Sequence, residues 1–280
     1  LQVMRSLNGV GIEPLLMKGA LYFFDGTLRD LGARFTGDLD VVVPRGRWED
    51  SIQALRGAGY VPDPGKAYMH PHELPIVAMG TPSSVELHSA LGSAGVARVL
   101  PVEEAWRSSR HFAVEGAHFR GLSATHAGLH NVLHGQVQDL NHAVFVIPLR
   151  QLHTLLCLQR TKGTEIDWEA IGDRLRHHGL QGAYTGHIDL AGRLLGMRVP
   201  VPVGPGARGH SLIALAMFQL RWPADLNRNL RFALNAEYLD HLYAHGHRLS
   251  PLLRARARHL YRALRAGGRT ALADALLARR

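Results

Sequence analysis

The sequence predicts an α+β fold, in which an N-terminal mixed sheet with flanking helices is followed by an α-helical C-terminal domain. Residues 37–43 are Gly-Asp-Leu-Asp-Val-Val-Val, and a run so rich in valine is typical of a strand buried on both faces. Residues 84–88 alternate polar and apolar side chains, as a half-buried strand does. From Ser123 onward the apolar spacing becomes helical. We therefore predict one domain over 1–121 and a helical domain over 122–280.

The first domain is predicted to alternate helices with short strands, with Gly and Pro at most of the boundaries. In chain order we expect a helix over 1–10, a strand over 14–17, a helix over 20–31, the valine-rich strand over 38–43, a helix over 48–58, an extended piece at 60–61, strands over 74–79 and 85–88, a flexible segment over 90–97, a helix over 102–107, and a hairpin of 111–114 with 118–122. The short connection between the strands before and after residue 80 predicts antiparallel pairing, which would bring Glu86 beside the acidic strand.

The second domain is predicted to be helical throughout. Its elements are a helix that starts at Ser123, helices over 144–160, 164–179 and 180–195, a Pro/Gly-rich linker over 200–209, and three or four helices that extend to Arg280.

The acidic pair Asp38 and Asp40 is the first candidate for chemistry. Side chains alternate along a strand, so both carboxylates point to the same side. Two adjacent carboxylates repel each other and are costly to bury, and a divalent cation between them would remove that cost. Oxygen ligands of this kind suit Mg²⁺ or Mn²⁺. The alternative is that the two acids only cap a turn before an ordinary core strand.

Two further segments support the prediction of a metal site. Residues 15–20 form an apolar run that ends in a glycine-containing turn, and backbone amides there, with Lys18 beside them, could hold a triphosphate. Glu86 and His88 lie on one face of the later strand, and Glu86 would complete a two-metal site. Arg34 precedes the acidic strand and either contacts a phosphate or is an ordinary surface arginine.

These residues resemble the nucleotidyltransferase superfamily. The pattern consists of Lys18-Gly19-Ala20, then Arg34 shortly before Gly37-Asp38-Leu39-Asp40, then Glu86-Leu87-His88. Within the superfamily it resembles the bacterial group of uncharacterised nucleotidyltransferases, which also carries a Gly-Tyr pair like the one at 59–60. Abortive-infection toxins of the superfamily share a similar arrangement. The resemblance implies a polymerase-beta-like nucleotidyltransferase fold for residues 1–121.

The resemblance also implies a magnesium-dependent reaction, in which a nucleoside monophosphate passes from a nucleoside triphosphate to a hydroxyl or similar acceptor and pyrophosphate leaves. Asp38, Asp40 and Glu86 would be the catalytic metal ligands, and Glu86 would ligate the second ion or take the acceptor proton. His88 would orient Glu86 or contact the acceptor, or would simply bond to a neighbour. The residues expected to hold the donor nucleotide are Lys18, Gly19, Ala20, Arg34, Gly37 and His88.

The acceptor stays open among a small molecule, a peptide or protein, and tRNA. The alternatives to the main prediction are a toxin-like enzyme that acts on tRNA or protein, and a catalytically silent nucleotide-binding module of the same fold. Arginines between 248 and 269 could bind nucleic acid, although a solvated helix face is the commoner meaning of such a run. The net charge of +9 indicates either an anionic partner or the codon usage of a GC-rich genome.

Two remaining features bound the prediction. The histidines at 126, 130 and 134 recur every four residues, a spacing that can bind zinc, but no adjacent Glu completes a protease motif. We favour a polar face directed at the cleft between the domains. Cys157 is the only cysteine, so an intrachain disulfide is impossible. With no secretory signal and no apolar run of membrane-spanning length, we expect a bacterial cytoplasmic protein without a membrane partner.

Overall fold

The computed structural model describes residues 1–28, 30, 36–62, 73–78, 84–139, 141 and 147–198. Within these residues a seven-stranded mixed sheet with flanking helices is followed by a helical region, as predicted. The strands are β1 (Leu15–Leu16), β2 (Asp38–Val42), β3 (Tyr60–Pro62), β4 (Glu73–Ala78), β5 (Ser84–His88), β6 (Arg110–Val114) and β7 (Ala117–Gly121). The helices are α1 (Gln2–Asn8), α2 (Lys18–Phe24), α3 (Trp48–Gly57), α4 (Ala94–Val99), α5 (Val102–Arg107), α6 (Ala124–Leu133), α7 (Leu149–Lys162), α8 (Trp168–His177) and α9 (Gln181–Leu195).

Three predictions concern residues outside the described part of the chain. They are the phosphate contact by Arg34, the linker over 200–209, and the basic helices that follow it.

The valine-rich strand β2 lies in the interior of the sheet, whose strand order is β3-β4-β5-β2-β1-β7-β6. It pairs in parallel with β5 and antiparallel with β1, while β4 pairs antiparallel with β5 as the short connection predicted. Val41, Val42 and Val43 are each at most 1% exposed, which confirms a strand covered on both faces. Pairing with β5 extends over the acidic end of β2, whereas β1 pairs only with Val41 and Val42.

Helix α2 begins directly where β1 ends, and it is shorter than the sequence predicted. Met17 is extended, and the helix runs only to Phe24, not to Leu31 as expected. The physical reason is Gly26, whose φ of +77° is the left-handed conformation that commonly stops a helix. This early stop keeps α2 to two turns beside the acidic strand.

Two local predictions about helices were wrong or incomplete. The segment 90–97 was expected to be flexible, yet α4 forms there, because Val96 and Val99 are three residues apart and both are buried. Beyond α6 the chain forms a π-helix over His134–Gln138, which no sequence pattern indicated. Such π-segments are often found at functional sites and mark an interruption in a regular helix.

The helical region continues from the sheet without a gap in packing. Helix α6 contacts α7 and α8, and α7 contacts α9. Its apolar side chains belong to the same buried cluster as those of the sheet. Among the described helices, none combines the length and the hydropathy of a membrane span.

Candidate active site

The pairing of β2 with β5 brings acidic side chains from two distant segments together. Asp40 lies opposite Glu86 in the parallel register, and Val42 lies opposite His88. Because side chains at i and i+2 of a strand share a face, Glu86 and His88 both project beside Asp40. Ligand atoms of Asp40, Glu86 and His88 all lie within 4.8 Å of one another. Asp40 and His88 are each 2% exposed, so the group forms the floor of the site.

Two side chains bond to the same oxygen of Asp40. Lys18 donates from Nζ to Oδ1 over 2.7 Å, and His88 Nε2 lies 3.0 Å from that atom. An ionised carboxylate only accepts hydrogen bonds, so His88 carries its proton on Nε2 in this arrangement. Glu86 Oε2 is farther from His88 Nε2, at 3.9 Å. His88 therefore bonds to Asp40 and not to Glu86, which agrees with the alternative that it simply bonds to a neighbour.

Electrostatic attraction keeps Lys18 and Asp40 ionised despite their burial. Burial alone would raise the pKa of Asp40, but the Lys18 ammonium and the His88 hydrogen bond outweigh it and hold that pKa well below its usual range. Burial would likewise lower the pKa of Lys18, but Asp40, with Glu86 and Asp38 behind it, raises it above the ordinary value. The site thus holds an ammonium and a carboxylate in contact throughout the neutral pH range.

The Lys-Gly turn at the start of α2 is strained and tightly packed. Lys18 has a φ of +53°, a left-handed conformation that residues other than glycine seldom adopt. A Cβ at Gly19 would lie 2.8 Å from both Cγ2 and Oγ1 of Thr36, so glycine is needed for this close approach. The turn therefore presses against the segment that leads into β2, and it aims Lys18 at Asp40.

The other predicted residues occupy the surroundings of this group. Asp38 is half-buried on the same face of β2, and its charge acts on Lys18, but it is outside the close group of three ligands. Ala20 lies in the first turn of α2, and Gly37 directly precedes β2. The structure thus brings Lys18, Asp40, Glu86 and His88 together. Asp38 lies two residues before Asp40, at the N-terminal end of β2.

The surroundings of the site include one residue that no motif indicated and one member of the histidine row. Thr36 has a buried hydroxyl oxygen with no hydrogen-bond partner in the described part of the chain. Only its position before Gly37 could have suggested it. His130 of α6 is 1% exposed, and its Nε2 lies 2.8 Å from the carbonyl oxygen of Leu91. Burial first, and the charges of His134 and Lys18 second, lower the pKa of His130 to about 3, so this ring is neutral.

The histidines at 126, 130 and 134 do not converge on a common point. Among the described residues the one group with metal-ligand spacing is that of Asp40, Glu86 and His88. The prediction favoured a polar face along this row. His130 is buried, so the row is not a polar face along its whole length. Their partners are Ser108 and Glu104 for His126, Leu91 for His130, and Asp139 for His134.

The donor set of the close group fits a divalent cation. Two carboxylates from neighbouring strands can hold Mg²⁺ or Mn²⁺, with water in the remaining positions. The ammonium of Lys18 already lies against Asp40, which shows that this carboxylate takes a positive partner. The residues therefore suit the ion that the sequence predicted, with His88 bonded to Asp40 through its Nε2 proton.

One of three comparisons with known proteins identifies the family of this chain. No curated protein matches the chain. The solution structure of the antibiotic-resistance factor ANT(2'')-Ia aligns with a TM-score of 0.44 and 12% identity, over 65% of this chain and 93% of that chain. The crystal structure of ANT(2")-Ia in complex with adenylyl-2"-tobramycin aligns with a TM-score of 0.45 and 10% identity, over 64% and 95% respectively. The family model for uncharacterised nucleotidyltransferases matches residues 1–196, which include the sheet and α6–α9. The chain therefore belongs to the family of uncharacterised nucleotidyltransferases.

Proposed function

We propose that this protein transfers a nucleoside monophosphate from a nucleoside triphosphate to a hydroxyl-bearing acceptor in a reaction that depends on Mg²⁺ or Mn²⁺. Membership in the family supports nucleotidyl transfer in general. The observation that carries the metal-dependent form is the buried group of Asp40, Glu86 and His88 on paired strands. Neighbouring carboxylates repel each other, and a divalent cation held between them would relieve that repulsion.

Each acidic side chain has a distinct task in this proposal. Asp40 and Glu86 hold the cation, and Asp38 lies beside them to take a second one. Bound there, the cation neutralises phosphate charge and lowers the pKa of an attacking hydroxyl. Glu86 is also placed to accept the acceptor proton, because its side chain is more exposed than that of Asp40.

The positively charged and backbone groups hold the donor. Lys18 is the ammonium nearest to the acids within the described residues, and it supplies charge to the triphosphate. Gly19 and Ala20 lie in the first turn of α2, where backbone amides have no acceptor within the helix. The hydroxyl of Thr36, which packs against Gly19 and has no partner within the described residues, is a further donor for a phosphate oxygen. His88 keeps Asp40 oriented through its Nε2 proton.

Calorimetric titration tests this proposal. ATP, GTP, CTP and UTP are each titrated with Mg²⁺ into the wild type, the Asp38→Asn/Asp40→Asn variant, and the control Asp173→Asn, which alters an exposed acid of α8. We expect magnesium-dependent binding of at least one nucleotide to the wild type and the control, and its loss in the double variant. Asp38→Asn alone should abolish transfer and spare the fold.

Two results would contradict the proposal. If the double variant still binds a nucleotide, Asp38 and Asp40 are not needed for nucleotide binding. A folded wild type that binds none of the four nucleotides would mean that the fold is kept for a purpose other than nucleotidyl transfer.

A further inference from the structure

The closest charged contact in the site joins a buried anion to a cation with access to solvent. Lys18 Nζ lies 2.7 Å from Asp40 Oδ1. The side chain of Asp40 is 3% exposed, whereas that of Lys18 is 22% exposed. The carboxylate is fixed in the middle of β2, but the lysine has four rotatable bonds and is partly exposed to water. Of the two partners, only Lys18 can leave.

The carboxylate that Lys18 occupies is also one that a cation would need. Asp40 belongs to the close ligand group, and its Oδ1 already receives both Lys18 and His88. A cation bound to this oxygen would lie within a few ångströms of the ammonium, and two such charges in a partly buried site repel each other strongly. The ammonium and the divalent cation therefore compete for Asp40.

We infer that Lys18 is the resident counterion of Asp40 in the free protein, that a divalent cation displaces it, and that the displaced ammonium then takes the triphosphate as its partner. This inference rests on the proposed function. It adds that cation and nucleotide bind interdependently, because each repairs a charge imbalance that the other creates. The cation alone leaves Lys18 without an anion, and the nucleotide alone adds negative charge beside Asp38, Asp40 and Glu86.

The backbone at Lys18 supports a side chain that changes partners. Its φ of +53° is strained, and Gly19 is locked against Thr36, so the main chain at this turn holds its position. The ammonium can then move from Asp40 toward the phosphates by side-chain rotation alone. Such a turn holds the backbone of Lys18 in place and leaves its side-chain ammonium free to move toward a negative charge.

Measuring Mn²⁺ binding by electron paramagnetic resonance, without nucleotide, tests the competition directly. Lys18→Met removes the resident ammonium, and Lys18→Arg keeps a positive charge at the same place. We expect Lys18→Met to bind Mn²⁺ roughly tenfold more tightly than the wild type, because the charge-assisted bond no longer has to be broken. Lys18→Arg should bind it as weakly as the wild type, and Asp40→Asn should lose binding.

The same titration with a nucleotide analogue tests the interdependence. The α,β-methylene analogues of the four nucleoside triphosphates cannot release pyrophosphate, so they report on binding alone. In the wild type the analogue of the preferred nucleotide should tighten Mn²⁺ binding at least several-fold, and Mn²⁺ should tighten binding of the analogue by the same factor. In Lys18→Met this mutual effect should shrink, since the charge that links the two ligands is gone.

A second measurement avoids substitutions and the risk that a variant misfolds. Amidination of lysines in the wild type is followed by mass spectrometry, with and without saturating Mn²⁺. Lys18 should react several-fold faster when Mn²⁺ is bound, because it has left Asp40. Lys162, which bonds to the carbonyl oxygen of Asp25 away from the close ligand group, is the matched control and should react at an unchanged rate.

The outcomes separate this inference from the proposed function. If wild type binds Mn²⁺ and Asp40→Asn does not, but Lys18→Met binds it no more tightly and Lys18 labelling stays constant, the counterion role is wrong and the metal site stands. If no form binds Mn²⁺ with or without an analogue, both the metal site and the counterion role are wrong.

Discussion

Asp40 of β2 and Glu86 of β5 lie directly opposite each other in a parallel strand pair. Parallel pairing places partner side chains on the same face, so two acids from separate segments share one side of the sheet. Lys18 then bonds to Asp40 from the end of β1, the strand on the other side of β2. Two paired strands and the turn that follows β1 thus each deliver one charged group to the site.

The two acids of β2 should differ in their effect on stability. Asp40→Asn removes the charge that Lys18 and His88 hold, and we expect a loss of about 1–3 kcal/mol in the free energy of unfolding, since Lys18 can turn partly to water. Asp38→Asn, at a half-buried position, should change it by less than about 1 kcal/mol. Urea unfolding of both variants at neutral pH measures this difference, and equal losses would contradict the assigned contacts.

The close approach of Gly19 to Thr36 should make Gly19→Ala destabilising. The added methyl overlaps Thr36 at 2.8 Å, so we expect a loss of about 1–3 kcal/mol together with weaker nucleotide binding. Gly57→Ala is the control, because nothing lies near a Cβ at the end of α3. Adding Thr36→Ala to Gly19→Ala should restore part of the stability, and additive losses in this double-mutant cycle would show that the two residues do not clash.

Two buried histidines should make the protein less stable in mild acid. Burial lowers the pKa of His187 to about 4, and burial with neighbouring charge lowers that of His130 to about 3. The unfolded chain takes up these protons near pH 6.5 and the folded chain does so only at the lower values, so stability falls as the pH drops from about 6.5 toward 4. Each ring contributes a loss of up to roughly 3 kcal/mol at the acidic end.

Unfolding followed across this pH window checks the assignment. His187→Gln should reduce the slope of stability against pH, whereas His118→Gln, at an exposed position of β7, should leave it unchanged. A slope that is the same in wild type and His187→Gln would mean that this ring is not buried in its neutral form.

A buried ionic cluster at Asp25 should tie the helical region to the sheet domain. The Asp25 carboxylate is fully buried, with Arg110 Nη2 at 3.2 Å and Lys162 Nζ at 3.8 Å. Asp25→Asn leaves both cations without their anion, and we expect a loss of about 3 kcal/mol. Asp189→Asn, which breaks a surface pair with Arg193 in α9, should cost less than about 0.5 kcal/mol.

The same cluster bears on the predicted domain boundary at residue 121. Lys162 lies beyond that boundary but bonds to Asp25 before it. A fragment of residues 1–121 should therefore unfold at a lower temperature than the full chain, and thermal unfolding followed by circular dichroism measures the difference. Equal unfolding temperatures would mean that the sheet domain is independent of α7.

Much of the site was predictable because its signals are local in the chain. Alternation along β2 places Asp38 and Asp40 on one face, the short connection makes β4 pair antiparallel with β5, and the Lys-Gly turn follows β1 directly. Helix α4 and the π-helix were missed for the opposite reason. Small residues disguise the two buried valines of α4, and an extra residue in a helical turn leaves no change in apolar spacing.

The sequence by itself determined the fold class, the acidic strand and the identity of the charged residues, since strand and helix periodicity depend on near neighbours. Only the tertiary structure decided which charges touch. The step of two residues between Glu86 and His88, combined with the parallel register, makes His88 rather than Asp38 the close neighbour of Asp40. The strained turn at Lys18 then adds the ammonium. Contacts of this kind depend on how strands pair and how far side chains reach, and residue spacing along a single strand does not specify either.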